Sequence, residues 1–445
     1  MTNPERQSGS GRLPYSLYIH IPFCRRRCSY CDFNTYTGLE ALIPAYGSAL
    51  CDEIGLLGAA AEEKIAARLP VHTVFLGGGT PSLLPLTELE RIFSAVREAF
   101  YLLPWAEISL EANPGTLDRD SLSGLRELGV NRLSLGMQSA HADELELLGR
   151  VHTFEQVVQV VGWARAAGYD NLNLDAIFGL PGQTLKRWEA TLRRSLELGV
   201  EHLSLYALTL EEGTPLLERV EAGELPQPDV DLAADMYELA TELLESEGFQ
   251  QYEISNWAKD AGNGQSEVDN PSYACRHNLQ YWRNQPYIGV GAGAHGYLES
   301  MRIANVLTPG EYIQCLAGWE GKSLPFPCIP APGQVPPAQA LVSPAPVWVS
   351  PAPVWVSPAV AQVTPLSVQD EIGETMMMGL RLTREGVSRA AFRLRFGCQL
   401  GDVFGGQIER LTRLGLLEWA GADGDVLRLT RRGRLLGNQV FVEFI

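Results

Sequence analysis

Three cysteines, Cys24, Cys28 and Cys31, fall in the run YIHIPFCRRRCSYCDF from Tyr18 to Phe33. Their spacing is C-x₃-C-x₂-C, directly after an apolar, β-branched run that reads as a strand. Thiolates are the soft ligands that iron–sulfur clusters need, and so short a loop lets three of them converge on three corners of one cube. A [4Fe–4S] cluster held this way keeps its fourth iron open. Zinc is the rival occupant, but structural zinc takes four protein ligands, usually as paired C-x₂-C knuckles, and no second knuckle is present. Cys51, Cys315, Cys328 and Cys398 are isolated and read as core thiols or incidental surface residues.

A loop of this kind must hang on a scaffold. Short apolar runs at 16–22, 73–76, 107–110, 132–135, 173–178 and 202–208 read as strands. Amphipathic stretches at 41–69, 86–100, 154–167, 184–198 and 229–247 read as helices between them. Strands alternating with helices predict βα units on a parallel sheet, and six units predict an α/β fold built as a partial (βα)₆ barrel. In such a barrel the chemistry sits on loops at the C-terminal strand ends, where the cysteines fall. The expected organisation is a short polar N-terminus (1–14), the barrel (15–250), an extension (251–324), a Pro-rich insertion (325–366) and a C-terminal domain (367–445). The insertion repeats SPAPVWV at 343–349 and 350–356. Proline removes amide donors, so the stretch is expected to be an irregular, disordered spacer. From 390 onward the pattern is helix, helix (405–414), strand (416–420), turn, strand (426–430), a winged-helix-like order that follows a strong helix at 368–382.

The formal net charge of −18 argues against a general nucleic-acid binder. No signal-peptide pattern and no long apolar run appears, so a cytoplasmic chain without stable membrane insertion is expected.

Further motifs fall on the loops. Phe75 to Leu83 reads FLGGGTPSL, glycines after a strand that let backbone approach a ligand. Glu111 in LEANPG, Gln138 in SLGMQS, Arg150 in LLGRVH and Asp175 in NLDAIFGLPG are polar groups at strand ends or on following loops. With the cysteine loop, these motifs resemble the radical S-adenosylmethionine (SAM) proteins related to oxygen-independent coproporphyrinogen III oxidase, and within them the heme-chaperone branch. The resemblance runs from about 15 to 297 and resumes from about 369 to the C-terminus. It implies that the open iron chelates the amino and carboxylate groups of SAM. It also implies that Gly78, Gly79 and Thr80 meet the methionyl moiety, and that Glu111, Gln138, Arg150 and Asp175 help to hold SAM. Tyr18, Tyr30 and Ala207 would border the pocket. An Arg suits the SAM carboxylate; acidic groups suit ribose hydroxyls and the sulfonium charge.

Three features separate chaperone from oxidase. The oxidase-type motif continues to a fourth cysteine, whereas here Asp32 and Phe33 follow Cys31. The oxidase carries a long N-terminal extension, and here little precedes Tyr15. Finally, Cys275 to Trp282 reads CRHNLQYW and contains the H-N-x-x-Y-W motif associated with heme. The resemblance therefore implies heme as cargo, with His277 as iron ligand and Tyr281 and Trp282 as apolar walls. His295, His20 and Cys275 are further candidate ligands. Apo-hemoproteins, those of a respiratory chain among them, would receive the heme. An electron donor is needed wherever SAM is cleaved, and a homodimer is compatible with the pattern. The alternative function is the oxidative decarboxylation of coproporphyrinogen III.

Overall fold

The computed structural model describes residues 14–261, 268–317 and 357–445. Strands β1 (Tyr15–Ile21), β2 (Pro70–Gly78), β3 (Tyr101–Ala112), β4 (Arg132–Gln138), β5 (Leu172–Phe178) and β6 (His202–Ala207) lie side by side in chain order, each parallel to the next. Helices cross between them, among them Ile43–Ile65, Leu86–Ala99, Phe154–Ala166 and Leu185–Glu197, and Val230–Ser246 follows β6. Thr153 and Thr184 start their helices by accepting a backbone N–H three residues on, the cap that spares an orphaned donor. This is the expected partial (βα)₆ arrangement.

Register sorts the side chains, because paired residues share one face of a sheet. Leu17, Ile19, Val74, Leu76, Leu110, Leu133, Leu174 and Leu203 face the helices and are fully buried. The inner face is polar: Ser16, Tyr18 and His20 on β1, Thr73 on β2, Glu107 and Glu111 on β3, Ser134 on β4, Asp175 on β5 and Ser204 and Tyr206 on β6. Leucine packing holds the barrel together from outside, which leaves its lumen free for chemistry.

The sheet extends past six strands. Beyond β6 come β8 (Asn256–Lys259) and β7 (Phe249–Glu253), both antiparallel. On the free edge of β1 lie β9 (Tyr287–Val290), β10 (His295–Leu298), β11 (Met301–Asn305) and β12 (Val360–Pro365), giving a twelve-stranded sheet. The last of these corrects the expectation that 325–366 is irregular throughout. Residues 360–364 contain no proline, and Pro365 sits at the end of an edge strand, a place that tolerates it. Ser357, where the described chain resumes, donates to the buried carboxylate of Glu53, which also accepts from Tyr312 (2.6 Å), Asn305 (2.9 Å) and the Gly291 amide (2.8 Å). The polar N-terminus to residue 13 and the SPAPVWV repeat lie outside the described residues.

The C-terminal module places helices Val368–Gly379, Arg389–Phe396 and Leu400–Arg413 on a small sheet of β13 (Val387–Ser388), β15 (Val426–Leu429) and β14 (Leu417–Ala420). Its core is its own, with Phe392, Phe404, Leu411 and Leu427 at the centre. The third helix begins at Leu400 rather than at 405, kinked at Phe404. Arg283 clasps Glu385 (2.9 Å) and Arg302 clasps Glu374 (2.6 Å), tying the module to the barrel. Among the described residues no helix is long and apolar enough to cross a membrane.

Candidate cofactor site

The cysteine loop leaves β1 and is pinned on several sides. Cys24 N donates to Tyr36 O (2.9 Å), Ser29 N to Leu148 O (3.1 Å), and Leu216 N to Ser29 O (2.9 Å). Cys24, Cys28 and Cys31 are free thiols, partly exposed. Burial raises Cys24 and Cys31 above the usual thiol range, and neighbouring sulfurs add to the rise. Among the described residues no three His, Cys, Asp or Glu side chains gather tightly enough to hold a single metal ion. A cubane presents its irons at separate corners and so asks for wider spacing.

The glycine loop lies against the cysteine loop. Gly79 N donates to Ile21 O (2.8 Å) and Thr80 N to Phe23 O (2.9 Å), while Thr80 Oγ1 stands 3.4 Å from Cys24 Sγ. Gly78 has φ +103°, and a Cβ there would fall 2.3 Å from the His20 ring; only glycine fits. Gly78 N donates to Glu111 Oε2 (3.0 Å). All three amides are therefore taken by the protein itself. What the loop can offer a ligand is its carbonyl oxygens.

Two carboxylates share the lumen. Glu111 is pushed up to about 7, chiefly by burial, then by the charge of Asp175. Burial likewise raises Asp175, although Asn173 (2.7 Å) and Ser134 (3.1 Å) donate to it. Such a pair favours a cation between its members. Arg150 Nη1 donates to Cys28 Sγ (3.4 Å) and Nη2 to Gly136 O (2.7 Å), placing a guanidinium at the junction of cysteine loop and lumen. Gln138 adopts a left-handed φ of +67° nearby. Tyr18 donates to or accepts from His20 Nδ1 (3.0 Å), and Tyr30 packs with Leu148, Ile177 and Leu180. Ala207 ends β6 and is exposed. These residues converge on one side of the sheet's C-terminal edge. Sequence reasoning missed Tyr206, which is 42% exposed on the inner face of β6, and Asn113 and Thr116, which line a cleft with Cys28, Thr80 and Arg150. The strand-end position of Tyr206 was the available signal. A wider recess of about 480 Å³ lies on the C-terminal module beside Ile408 and Trp419. It contains none of the cysteines, carboxylate pair or glycine turns, so the barrel edge is the stronger site.

The H-N-x-x-Y-W segment lies elsewhere. It forms the helix Arg276–Trp282, whose first amides are capped by Glu107 from β3: Arg276 N at 3.1 Å and His277 N at 3.2 Å. His277 is 1% exposed. Its Nδ1 is 2.8 Å from Thr73 Oγ1 and its Nε2 2.8 Å from the Tyr281 hydroxyl. Thr73 donates its own proton to Ser16 (2.5 Å), so it accepts from Nδ1–H, and Nε2 must accept from Tyr281. Burial, with nearby His72, lowers this imidazole to about 3. Phe75 stacks on it, and Arg381 lies over the Trp282 ring at 4.3 Å. Cys275 is fully buried.

A family model described as the Radical SAM superfamily matches residues 18–194, and one described as the HemN C-terminal domain matches 366–436. Heme chaperone HemW of Bacillus subtilis (strain 168) is 35% identical over 433 residues, covering 97% of this chain and 99% of that protein. The chain belongs to the HemW family. HemW of Lactococcus lactis subsp. lactis (strain IL1403) is 33% identical over 432 residues, with 97% of each chain covered. The solved structure of coproporphyrinogen III oxidase (HemN) from Escherichia coli aligns with a TM-score of 0.72 at 22% identity, over 97% of this chain and 90% of that one; this likeness concerns the fold. The HemW likeness takes in both the barrel and the C-terminal module.

Proposed function

We propose that this HemW-family chain is a heme chaperone, binding heme and passing it to apo-hemoproteins. In this reading Cys24, Cys28 and Cys31 hold a [4Fe–4S] cluster and the adjoining lumen holds SAM. The observation that carries it is likeness along nearly the whole chain to proteins named heme chaperones. The cysteine loop supports it, since Asp32 and Phe33 stand where the oxidase pattern has a further cysteine.

The donor set fits the group. Three free thiols on one pinned loop suit a cluster with one open iron. When bound, the cluster supplies single electrons and an iron open to the SAM amino and carboxylate groups. The protein's part is orientation and charge. Arg150 faces Cys28 Sγ and would meet the SAM carboxylate. Carbonyls of the Gly78–Thr80 loop would accept from the SAM ammonium. Glu111 and Asp175 would face the ribose and the sulfonium, and a bound cation would return both to the ionised state. Tyr18, Tyr30, Gln138 and Ala207 would close the pocket. The recipients, among them respiratory hemoproteins, and the electron donor belong to this proposal.

The test is anaerobic. The cluster-reconstituted chain is titrated with heme, and separately given coproporphyrinogen III with SAM and a reductant. Saturable heme binding without protoporphyrinogen is the expected result. Release of CO₂ with protoporphyrinogen would overturn the chaperone reading in favour of an oxidase.

A further inference from the structure

Heme iron needs an imidazole with an open lone pair, and His277 has none to give. Its Nε2 accepts from Tyr281, its Nδ1 serves Thr73, and the ring is buried. Two more of the chain's seven histidines are spent in the same way. His20 uses both nitrogens, on Tyr18 and on Asn34 O (2.9 Å), and His202 both, on Asn173 and Tyr252. His72 and His152 are buried, and His141 is half-buried against Arg187 O (3.0 Å). His295 alone among them is exposed.

Its place in the sheet is also informative. Ser16 pairs with Tyr287 and Tyr287 with Tyr297, so Tyr297 shares the inner face with Tyr18. His295, two residues earlier on β10, points to that face as well. The turn that leads into His295 packs on the cysteine loop's strand: a Cβ at Gly291 would fall 2.6 Å from His20 O, and one at Gly293 would meet the Asn34 side chain.

The surrounding rim has the chemistry of a porphyrin seat. Phe33 is 66% exposed and Leu307 59%, unusual for such large apolar groups. Leu307 and Asn34, the residue next to Phe33, are held at the His295 turn: Asn34 Nδ2 donates to Ala292 O (3.1 Å) and to Leu307 O (2.9 Å), Tyr36 donates to Leu307 O (3.2 Å), and Gly293 N donates to Val306 O (2.7 Å). Arg27 Nε donates to Cys31 O (3.2 Å), at the end of the cysteine loop. It supplies at the same rim the cation that a heme propionate asks for.

We propose that heme binds at the mouth of the barrel beside the cysteine loop, with His295 as its iron ligand, Phe33 and Leu307 against the porphyrin and Arg27 toward a propionate. The buried H-N-x-x-Y-W helix then supports the barrel core and makes no bond to iron. This rests on the chaperone reading and deepens it.

The reconstituted full chain is titrated with hemin and read at the Soret band, for the parent, His295→Ala and His295→Cys. His295→Ala should weaken binding at least ten-fold while cluster absorbance stays as in the parent. His295→Cys should move the Soret band to that of a thiolate-ligated heme, a change no merely structural role would produce. His295→Ala binding within two-fold of the parent, with His295→Cys spectrally unchanged, overturns the assignment and leaves the chaperone reading standing. A parent that binds no heme refutes the chaperone reading, and this assignment with it.

Discussion

Glu111 gives a prediction whose size can be worked out. Its carboxyl lies in the lumen beside Asp175 and is pushed from an ordinary 4.5 to about 7, by burial first and by Asp175 second. A folded-state value above the unfolded one means that the folded chain keeps a proton that the unfolded chain has already released. The stabilising contribution of this group is therefore full below about 4.5, shrinks as pH rises towards about 7, and is gone above that. At about 1.4 kcal/mol per pH unit the gap corresponds to roughly 3 kcal/mol, and water reaching the half-buried side chain reduces this to about 1–3 kcal/mol. Glu111→Gln keeps the shape and the acceptor for Gly78 N but removes the charge. Urea unfolding of the SAM-free parent and variant at pH 5, 6, 7 and 8 isolates the effect. Glu111→Gln should gain on the parent as pH rises, by about 1–3 kcal/mol across the series, while its SAM affinity at pH 8 falls about ten-fold or more, worth about 1.4 kcal/mol per decade. A stability gap that stays constant from pH 5 to pH 8 would refute the placement of this carboxyl beside Asp175 in the lumen.

Other sites give simpler expectations. Gly78→Ala forces a methyl group into the His20 ring at a left-handed φ; a loss of about 2–4 kcal/mol in chemical unfolding is expected, from left-handed strain and overpacking together, with weakened SAM binding by calorimetry. Arg150→Leu removes the guanidinium from Cys28 and Gly136, so SAM affinity should drop at least ten-fold, about 1.4 kcal/mol, whereas Arg150→Lys, which keeps the charge without the fork, should recover part of it. Glu53→Gln presents an amide N–H₂ to four donors; leaving a buried donor unmet should cost about 1–3 kcal/mol in urea unfolding.

Much of the architecture can be read from the residues. Five of the six core strands were expected within three residues, while β3 begins six residues before the expected 107–110; leucine, valine and isoleucine alternate along these strands towards a helix layer, and Thr153 and Thr184 mark helix starts by cap chemistry alone. The cysteine loop and the Gly78 turn are local signals, complete within a few positions. What escaped was long-range. β9 to β12 are short and carry Gly, Tyr and Pro, so their pairing depends on partners far along the chain, and β12 lies next to a proline-rich stretch whose composition conceals it. CRHNLQYW looks like an imidazole among porphyrin walls. Its burial comes from Glu107, Thr73 and Arg381, at least 99 residues away in sequence, and no local pattern announces them. The occupied amides of the glycine loop are equally invisible until β1 and β2 are set side by side.

The central claim is that this chain carries heme in order to give it up. The most direct measurement mixes the heme-loaded, cluster-reconstituted chain with an apo-cytochrome under anaerobic conditions and follows the acceptor's Soret band. Transfer faster than from an equal concentration of albumin-bound heme is predicted, with no protoporphyrinogen formed when coproporphyrinogen III and SAM are supplied. Transfer no faster than from albumin, together with decarboxylation of coproporphyrinogen III, would contradict it.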